Sequence, residues 1–472
     1  MAWERFRWAF CQLDTLRRCM PSSIRKALNE LPVTLDDTYE RALQEIPKEK
    51  WQHAHRLFQC LIAAIRPLFV EELAEIFAIE FDPDAAPRIM EGFRPENPEE
   101  AILSACSTLI AVINDDGSKT VQFSHFSVKE YLTSDRLRTS EIGTIRRHHI
   151  PLDAAHTILA RACLTELLQL GEIVDNERLA TFPLVSYAAW HWVYHAKFEG
   201  VSSRIQDILE RLFDPTKSYL ASWTRLHNVD PKPLVRRRYR MGTALYYAVL
   251  CGFNALAHFL IISHSEDANA KCGYQGSPLH AALYNGDLDT ARLLLDHGAD
   301  ANLGDHVGKT PFVTACEIGD LEAMQLLLEH GADVGVHHNV FGSVLHHASY
   351  YGRAEVVNLL LRHNGNVNAR DQSNQTPLHL ASSNGHSKVV ELLLDYGADV
   401  DALSRGPLRL LSRSPLHKAS RNGHLEVVRI LLAHGANVHI RGRDNQTTVE
   451  IATSNGHIEV AELLLRHGAE TE

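Results

Sequence analysis

The chain has 472 residues, of which 45% are hydrophobic and 22% charged, and its formal net charge is −11 at pH 7. This mild acidity disfavours general binding to nucleic acids or anionic membranes, and the length allows two to four domains. No uninterrupted apolar run reaches the roughly 18 residues of a membrane span, and the first residues lack a secretory apolar core. The eight cysteines contain no Cys-x-x-Cys pair. We therefore expect reduced core thiols and a cytoplasmic protein.

The first helices of the chain are predicted from cap residues and apolar spacing. Thr34 precedes a helix whose apolar residues form one stripe. A second helix is predicted over about residues 50–65, and a third begins at Val70. A fourth begins at Glu99, after a proline-rich loop at residues 83–98.

A β-hairpin is predicted next. Apolar runs at residues 108–113 and 120–123 flank a turn that contains Gly117. Ser127 and Glu130 then match a capping box at the start of another helix. Three helices, a strand–wing–strand unit and a final helix describe a winged helix.

Many winged helices bind DNA, but the helix that begins at Val70 is acidic. We take this helix as the candidate recognition helix. It carries or adjoins four glutamates, Glu71, Glu72, Glu75 and Glu80, which would repel phosphate groups. We therefore expect no nucleic-acid binding.

The second half of the chain repeats one pattern. Its opening residue recurs at intervals of 34, 33, 33, 33, 38 and 33 residues. A fixed period of this length predicts a solenoid, in which each repeat buries its apolar surface against its neighbours. The 38-residue interval predicts a longer hairpin within residues 403–412. The seven opening residues are Thr243, Ser277, Thr310, Ser343, Thr376, Ser414 and Thr447.

The fifth copy predicts the structure of one repeat. Thr376 suits a helix N-cap, and Pro377 suits the first helical position. Gly385 stands where this short helix must stop in the left-handed conformation, and a second helix is predicted over about residues 387–396. The last copy has lost the proline and instead has a Thr-x-x-Glu capping box at residues 447–450. Atypical first and last copies are what the ends of a complete array require.

Two features that could suggest catalysis are better explained by the repeats. Gly308, Lys309 and Thr310 match the end of a phosphate-binding loop, but Leu303 stands where that loop needs a glycine, so we interpret the motif as a turn. Most of the 28 histidines occupy repeat positions without metal-ligand spacing. We find no nucleophile beside a base. The sequence predicts a non-enzymatic protein with no catalytic residues, no cofactor and no metal.

The repeat resembles the ankyrin repeat, on Thr376-Pro377-Leu378-His379 and on the glycine after most second helices. The resemblance implies binding of other proteins through the concave face, by the hairpin tips and the C-terminal ends of the first helices. Tyrosine and arginine are enriched at binding hot spots. The alternative is ordinary surface with incidental aromatic residues. The candidate contact residues are Tyr274, Tyr284, His306, Val340, Tyr350, Tyr351, Arg413, Arg421 and Arg443.

A second resemblance covers the first half of the chain. Residues 31–40, 66–73 and 123–132 are similar to the segment after the nucleotide-binding NACHT module in fungal NLR-like (STAND) proteins, and residues 183–195 resemble the same proteins. The winged helix is similar to that of GPI inositol-deacylase-like proteins. In related ATPases a histidine at the site of His125 senses nucleotide. Because this chain lacks the phosphate-binding module, we instead predict a buried, hydrogen-bonded His125.

These features predict a predominantly all-α protein. Its expected parts are a helical segment at 1–52, a winged-helix domain at 53–138, a helical linker domain at 139–236 and seven ankyrin repeats at 237–472. We expect a non-enzymatic protein–protein interaction module, the recognition and regulatory part of a NACHT-type signalling protein for non-self recognition. Either the gene model is truncated or this is a natural form without the ATPase. The alternatives are the regulatory fragment of an esterase or NTPase whose catalytic domain is absent, and a structural scaffold.

Overall fold

The fold is predominantly helical, as predicted, and forms two compact units, Met1–Leu234 and Val235–Glu472. The computed structural model describes residues 34–81, 87–115, 117–170, 176–227, 241–335, 337–338, 342–404, 413–442 and 446–469.

The first unit consists of helices and short strands. Its helices are α1 Leu35–Gln44, α2 Trp51–Ala63, α3 Val70–Ala78, α4 Pro98–Cys106, α5 Phe126–Leu132, α6 Asp135–Arg138, α7 Gly143–Arg146, α8 Leu152–Gln169, α9 Asn176–Ala180, α10 Val185–Ala196, α11 Val201–Arg204, α12 Gln206–Leu212 and α13 Tyr219–Leu226. Its strands are β1 Leu68–Phe69, β2 Ile79–Glu80, β3 Arg88–Ile89, β4 Ile110–Asp115 and β5 Ser118–Phe123.

The winged helix combines α2, α3 and α4 with a three-stranded sheet. Strand β5 pairs antiparallel with both β1 and β4, which gives the order β1-β5-β4. The wing is the tight turn between Asp115 and Ser118, where Gly117 has a φ of 88°, a conformation that favours glycine. The predicted hairpin is therefore confirmed.

The helix after the hairpin begins two residues earlier than predicted. Its N-cap is His125, whose Nδ1 accepts a hydrogen bond from the backbone N–H of Ser127 at 3.2 Å, so the predicted capping box at Ser127 is wrong. The hydroxyl of Ser127 contacts the same ring nitrogen and lies 2.7 Å from the hydroxyl of Tyr39. His125 is thus buried and hydrogen-bonded, as predicted.

The acidic helix α3 does not present all its glutamates to solvent. Glu72 is buried and pairs with Arg66 at 2.6 Å, and Glu75 is buried and pairs with Arg94 at 2.7 Å. These two carboxylates cannot repel an external phosphate, so that part of the argument against nucleic-acid binding is wrong. The helix directly before the wing is α4, whose first turn carries two other acidic residues.

The linking helices of the first unit pack around aromatic side chains. Helix α8 packs against α2 and α10. Trp192 and Trp223 are fully buried with their rings 5.0 Å apart in a T-shaped arrangement. The indole N–H of Trp223 donates to the carbonyl of Ala189 at 2.9 Å, so this large side chain is buried without an unsatisfied donor.

Among its described residues, the second unit contains seven helix pairs, one for each predicted repeat, and an antiparallel pair of strands, β6 His337–His338 and β7 Gly342–Ser343. All seven predicted opening residues are N-caps of the first helices. The pairs are α14 Ala244–Leu250 with α15 Asn254–His264, α16 Pro278–Asn285 with α17 Leu288–Asp296, α18 Pro311–Ile318 with α19 Leu321–Glu329, α20 Val344–Tyr350 with α21 Ala354–Arg362, α22 Pro377–Asn384 with α23 Ser387–Asp395, α24 Pro415–Asn422 with α25 Leu425–Ala433, and α26 Thr448–Ser454 with α27 Ile458–Arg466.

Histidine at the fourth motif position joins neighbouring repeats. Nδ1 of His379 accepts a hydrogen bond from the backbone N–H of its own N-cap, Thr376, at 3.1 Å. Nε2 must then carry the proton, and it lies 2.9 Å from the carbonyl oxygen of Arg413 in the next repeat. The predicted structural role of this histidine is confirmed. The same bridge joins His280 to Lys309 and His346 to Gln375.

The predicted turns of the repeats are also present. Gly385 ends helix α22 with a φ of 78°, in the left-handed conformation. The Gly-Lys-Thr motif is a turn, with Gly308 N–H donating to the Asp305 carbonyl at 3.1 Å. Ser404 N–H donates to the Arg413 carbonyl at 3.0 Å, which brings together the two described residues that flank positions 405–412. The predicted longer hairpin itself lies outside the described residues.

The described cysteines are buried: Cys60, Cys106, Cys163, Cys251, Cys272 and Cys316. Among the helices whose residues are described, none has the length and apolar character needed to cross a bilayer.

Candidate functional site

The first helices of successive repeats pack side by side, so residues at equal repeat positions form rows. The seventh residue after each N-cap is the last or the second-to-last residue of the first helix. We call these positions the helix-end row. Its members are Leu250, Tyr284, Glu317, Tyr350, Ser383, Arg421 and Ser454.

Side chains of the following repeat hold the backbone of this row. Nε2 of His386 lies 2.9 Å from the carbonyl oxygen of Tyr350, and the guanidinium of Arg353 donates to the carbonyl of Glu317 at 2.7 Å. A face whose backbone is already fixed loses little conformational entropy when it binds a partner. The same contact joins His424 to Ser383 and His457 to Arg421.

In repeats two and three, a lysine links two members of the row. Nζ of Lys309 donates to the hydroxyl of Tyr284 at 2.7 Å and to Oε2 of Glu317 at 2.7 Å. Burial lowers the pKa of Lys309, but the hydrogen bonds to Glu317 and Tyr284 outweigh it and leave the pKa above its usual value. Tyr284 remains 41% exposed, so its ring is accessible although its hydroxyl is oriented.

In repeat four, two exposed tyrosines are adjacent. The rings of Tyr350 and Tyr351 lie 5.0 Å apart in a T-shaped arrangement, and the side chains are 38% and 52% exposed. Tyr351 also packs against the His347 ring at 4.7 Å, and the guanidinium of Arg353 lies 5.9 Å from its ring centroid. Both rings are therefore held in one orientation while part of each surface faces solvent.

In repeat six, three cationic side chains lie close together. Arg413 and Lys418 are half-buried, and Arg421 is exposed. Burial lowers the pKa of Lys418, and the charges of Arg413 and Arg421 lower it further, against a weaker effect of Asp371. The ammonium of Lys418 donates to the amide oxygen of Gln375 at 3.5 Å, which neutralises none of this charge. A carboxylate brought to this cluster would be attracted.

The structure groups the predicted contact residues in three places. Tyr284, the pair Tyr350 and Tyr351, and the pair Arg413 and Arg421 occupy repeats two, four and six. Val340 and Arg443 lie outside the described residues.

The remaining predicted residues belong to the hairpin tips. Nε2 of His306 lies 2.8 Å from the carbonyl oxygen of Gly273, so this histidine ties two tips together, and Tyr274 beside it is 39% exposed. Sequence reasoning missed Lys309 and Lys418 as members of the face. Their positions in the repeat could have revealed them. Lys309 directly precedes the N-cap Thr310, and Lys418 follows the N-cap Ser414 by four residues.

Two family models match the chain. A model described as "Ankyrin repeats" matches three times, at residues 245–338, 312–404 and 405–472. A model described as "GPI inositol-deacylase, winged helix domain" matches residues 39–143. The chain therefore contains ankyrin repeats, a non-catalytic scaffold for protein–protein interaction, and a winged-helix domain of the GPI inositol-deacylase type.

Parts of the chain resemble a curated relative and a solved structure. The "Azaphilone pigments biosynthesis cluster protein L" of Monascus ruber is 30% identical over 292 residues, which are 57% of this chain and 60% of that protein. The chain thus spans 60% of the length of this relative. The human ASB11 ankyrin repeat domain is 28% identical, covers 49% of this chain and 100% of its own, and superposes with a TM-score of 0.42.

Proposed function

We propose that the chain is the recognition and regulatory part of a NACHT-type signalling protein, and that the helix-end row of its ankyrin repeats binds a partner protein. The observation that carries the proposal is the row itself. Exposed tyrosines in repeats two and four and a cationic cluster in repeat six lie at or next to the row, and the following repeat fixes the backbone of the row at Tyr350 and Arg421. Oriented aromatic and arginine side chains supply much of the binding energy in protein interfaces.

The tyrosines of repeat four are the expected centre of the contact. The Tyr351 ring is oriented by contacts with Arg353 and His347, and the Tyr350 ring contacts the Tyr351 ring, so burying the pair costs little side-chain entropy. Truncating a central aromatic residue typically costs a complex about 2–4 kcal/mol.

The cationic cluster of repeat six defines the charge of the partner. The positive charges of this cluster, on Arg413, Lys418 and Arg421, repel one another. Burial, and then the charges of the two arginines, lower the pKa of Lys418. A carboxylate from a partner relieves it and forms charge-assisted hydrogen bonds with the guanidinium groups. The partner surface that fits is acidic opposite repeat six and apolar opposite repeats two to four.

The partner-binding proposal is tested by capture of partners on the full chain, followed by titration of the captured protein against variants. Tyr350→Ala with Tyr351→Ala is expected to weaken binding at least about tenfold, which corresponds to about 1.4 kcal/mol. Tyr396→Ala is the matched control, because Tyr396 is 42% exposed but follows the second helix of its repeat, away from the row. Equal affinity of a folded double variant and the control would exclude the row as the binding face.

The NACHT-type assignment has its own test, the genomic sequence upstream of Met1. A glycine-rich phosphate loop is expected there. A serine esterase motif in its place would instead favour the regulatory fragment of an enzyme. The isolated chain is expected to bind no ATP, and saturable binding with micromolar affinity would contradict a purely non-enzymatic role.

A further inference from the structure

A cavity in the first unit is lined by cationic and aromatic side chains. Its volume is about 340 Å³, and it lies between helix α2, the turn after α7 and helix α8. Helix α2 contributes Trp51, His55 and Arg56, and the turn contributes Arg147 and His148. None of these residues belongs to the ankyrin repeats, so the cavity is separate from the proposed partner-binding face.

The two guanidinium groups of the cavity contact aromatic rings. Arg56 lies over the ring of Phe81, 5.0 Å from its centroid, and Arg147 lies over the ring of Trp51. Arg147 also donates to Nε2 of His148 at 3.4 Å. Burial lowers the pKa of both arginines, and no carboxylate among the described residues contributes an opposing effect. Each guanidinium therefore keeps unused capacity for an anion.

The imidazole of His148 in the cavity has unused hydrogen-bonding capacity as well. His148 is 2% exposed, and within the described part of the chain its Nδ1 has no hydrogen-bond partner. Buried polar atoms normally find a partner, and those that lack one mark a site for water or a ligand. Burial, with the nearby charge of Arg147, lowers the pKa of His148 to about 4, so the ring is neutral.

We propose that this cavity binds a small organic anion, whose carboxylate or phosphate group contacts Arg56 and Arg147 and whose flat apolar body packs against Trp51 and Phe81. Guanidinium groups in apolar surroundings bind such oxygens by charge-assisted, bidentate hydrogen bonds. The aromatic rings add apolar surface against which a planar group packs. The volume lies at the lower end of the range for small-molecule sites, which is about 300–1,000 Å³.

The proposal is tested by calorimetric titration of the full chain with phenyl phosphate, benzoate and benzyl alcohol. Phenyl phosphate or benzoate is expected to saturate one site, and their comparison identifies the preferred anionic group. Benzyl alcohol, a neutral compound of similar shape, is expected to bind at least about tenfold more weakly because it cannot form the charge-assisted contacts. Inorganic phosphate is expected to bind more weakly than phenyl phosphate because it lacks the flat body.

Variants then locate the site. Arg147→Gln and Arg56→Gln are each expected to weaken anion binding at least about tenfold. Arg146→Gln is the matched control, since Arg146 precedes Arg147, is exposed and does not line the cavity. Ile158→Trp fills the cavity from α8 without changing the charge and is expected to abolish binding, with circular dichroism verifying the fold.

Four outcomes would overturn the proposal. The first is that neither aromatic anion shows saturable binding up to about 10 mM, a concentration above which binding is not specific. The second and third are that benzyl alcohol or inorganic phosphate binds as tightly as phenyl phosphate. The fourth is that a folded Arg147→Gln variant binds the anions as tightly as the wild type.

Discussion

His379 is hydrogen-bonded to the carbonyl of Arg413 across 34 residues of chain, whereas the equivalent bridges from His280 and His346 each span 29 residues. The five additional residues therefore do not alter this hydrogen bond between neighbouring repeats. One imidazole both caps its own helix and fixes the distance to the next repeat.

The first prediction follows from this double role. His379→Ala removes the acceptor for the Thr376 N–H and the donor to the Arg413 carbonyl, both in a buried joint. We expect the free energy of unfolding to fall by about 2–4 kcal/mol. His467→Ala is the control, because His467 is exposed and bonds only within its own helix end, to the Leu463 carbonyl at 3.0 Å. Urea denaturation measures both, and equal losses would show that the bridge has no special role.

The second prediction concerns acid. Burial lowers the pKa of His280, His379 and His417 from 6.5 to about 4. The unfolded chain binds protons at these groups below about pH 6.5 while the folded chain does not, so the stability present above that pH is lost as the pH falls towards 4. Each group contributes up to about 3 kcal/mol to this loss.

Urea denaturation at pH 7.5, 5.5 and 4.5 measures the effect. His379→Gln removes one of these titrating groups. It is therefore expected to lower the slope of the free energy of unfolding against pH by up to the amount that one bound proton contributes. A stability that is constant over this range would contradict the assignment of neutral buried rings.

The third prediction separates two costs at one repeat position. Gly385 and Gly456 both have left-handed backbone, with φ values of 78° and 79°. A Cβ at Gly456 meets nothing within 4 Å, so Gly456→Ala measures the conformational cost alone, about 1 kcal/mol. A Cβ at Gly385 would lie 2.6 Å from Nδ1 of His424, whose Nε2 holds the Ser383 carbonyl.

Gly385→Ala is therefore expected to cost about 1 kcal/mol more than Gly456→Ala, since that hydrogen bond must break or shift. Thermal and urea denaturation of the two variants provide the comparison. Equal costs would mean that the His424 ring moves aside without loss.

The fourth prediction concerns a buried carboxyl group in the first unit. Glu166 is fully buried and lies beside Glu75, a second buried carboxyl group. Burial raises its pKa well above 4.5, Glu75 raises it further, and Arg94 opposes both. The folded state thus holds a proton that the unfolded state releases.

Because the pKa of Glu166 is raised on folding, its contribution to stability is complete below the unfolded pKa and is lost as the pH rises through the folded value. Glu166→Gln keeps the shape without the ionisation and is expected to raise the thermal midpoint relative to the wild type, increasingly so from pH 6 to pH 9. A variant that lowers the midpoint equally at every pH would contradict a protonated Glu166.

The repeat architecture was predictable because its signals are local. Each first helix begins at a serine or threonine whose contacts lie within three residues, and these caps also set the repeat period. In the winged helix the same logic failed at Ser127. The acceptor for the first free N–H is the imidazole of His125, a residue type that the usual cap preferences leave out.

The candidate face was only partly predictable, because its decisive contacts join different repeats. Lys309 had a turn as its local explanation, but its ammonium reaches Tyr284 of the preceding repeat and Glu317 of its own. Likewise, the burial of Glu72 and Glu75 depends on arginines elsewhere in the fold. A periodic sequence specifies which positions lie in the same row. It does not specify which charged side chains from different repeats contact and neutralise one another.

The pairing of Ser404 with Arg413 makes the start of the sixth repeat a natural grafting point. Because both the backbone and the side chain of Ser404 bond to the Arg413 carbonyl, the ends of the intervening segment are fastened together. The length of that segment is thereby uncoupled from the alignment of the helices on either side. Additional sequence, such as an epitope or a site for fluorophore attachment, can be inserted there while the neighbouring repeats remain packed against each other.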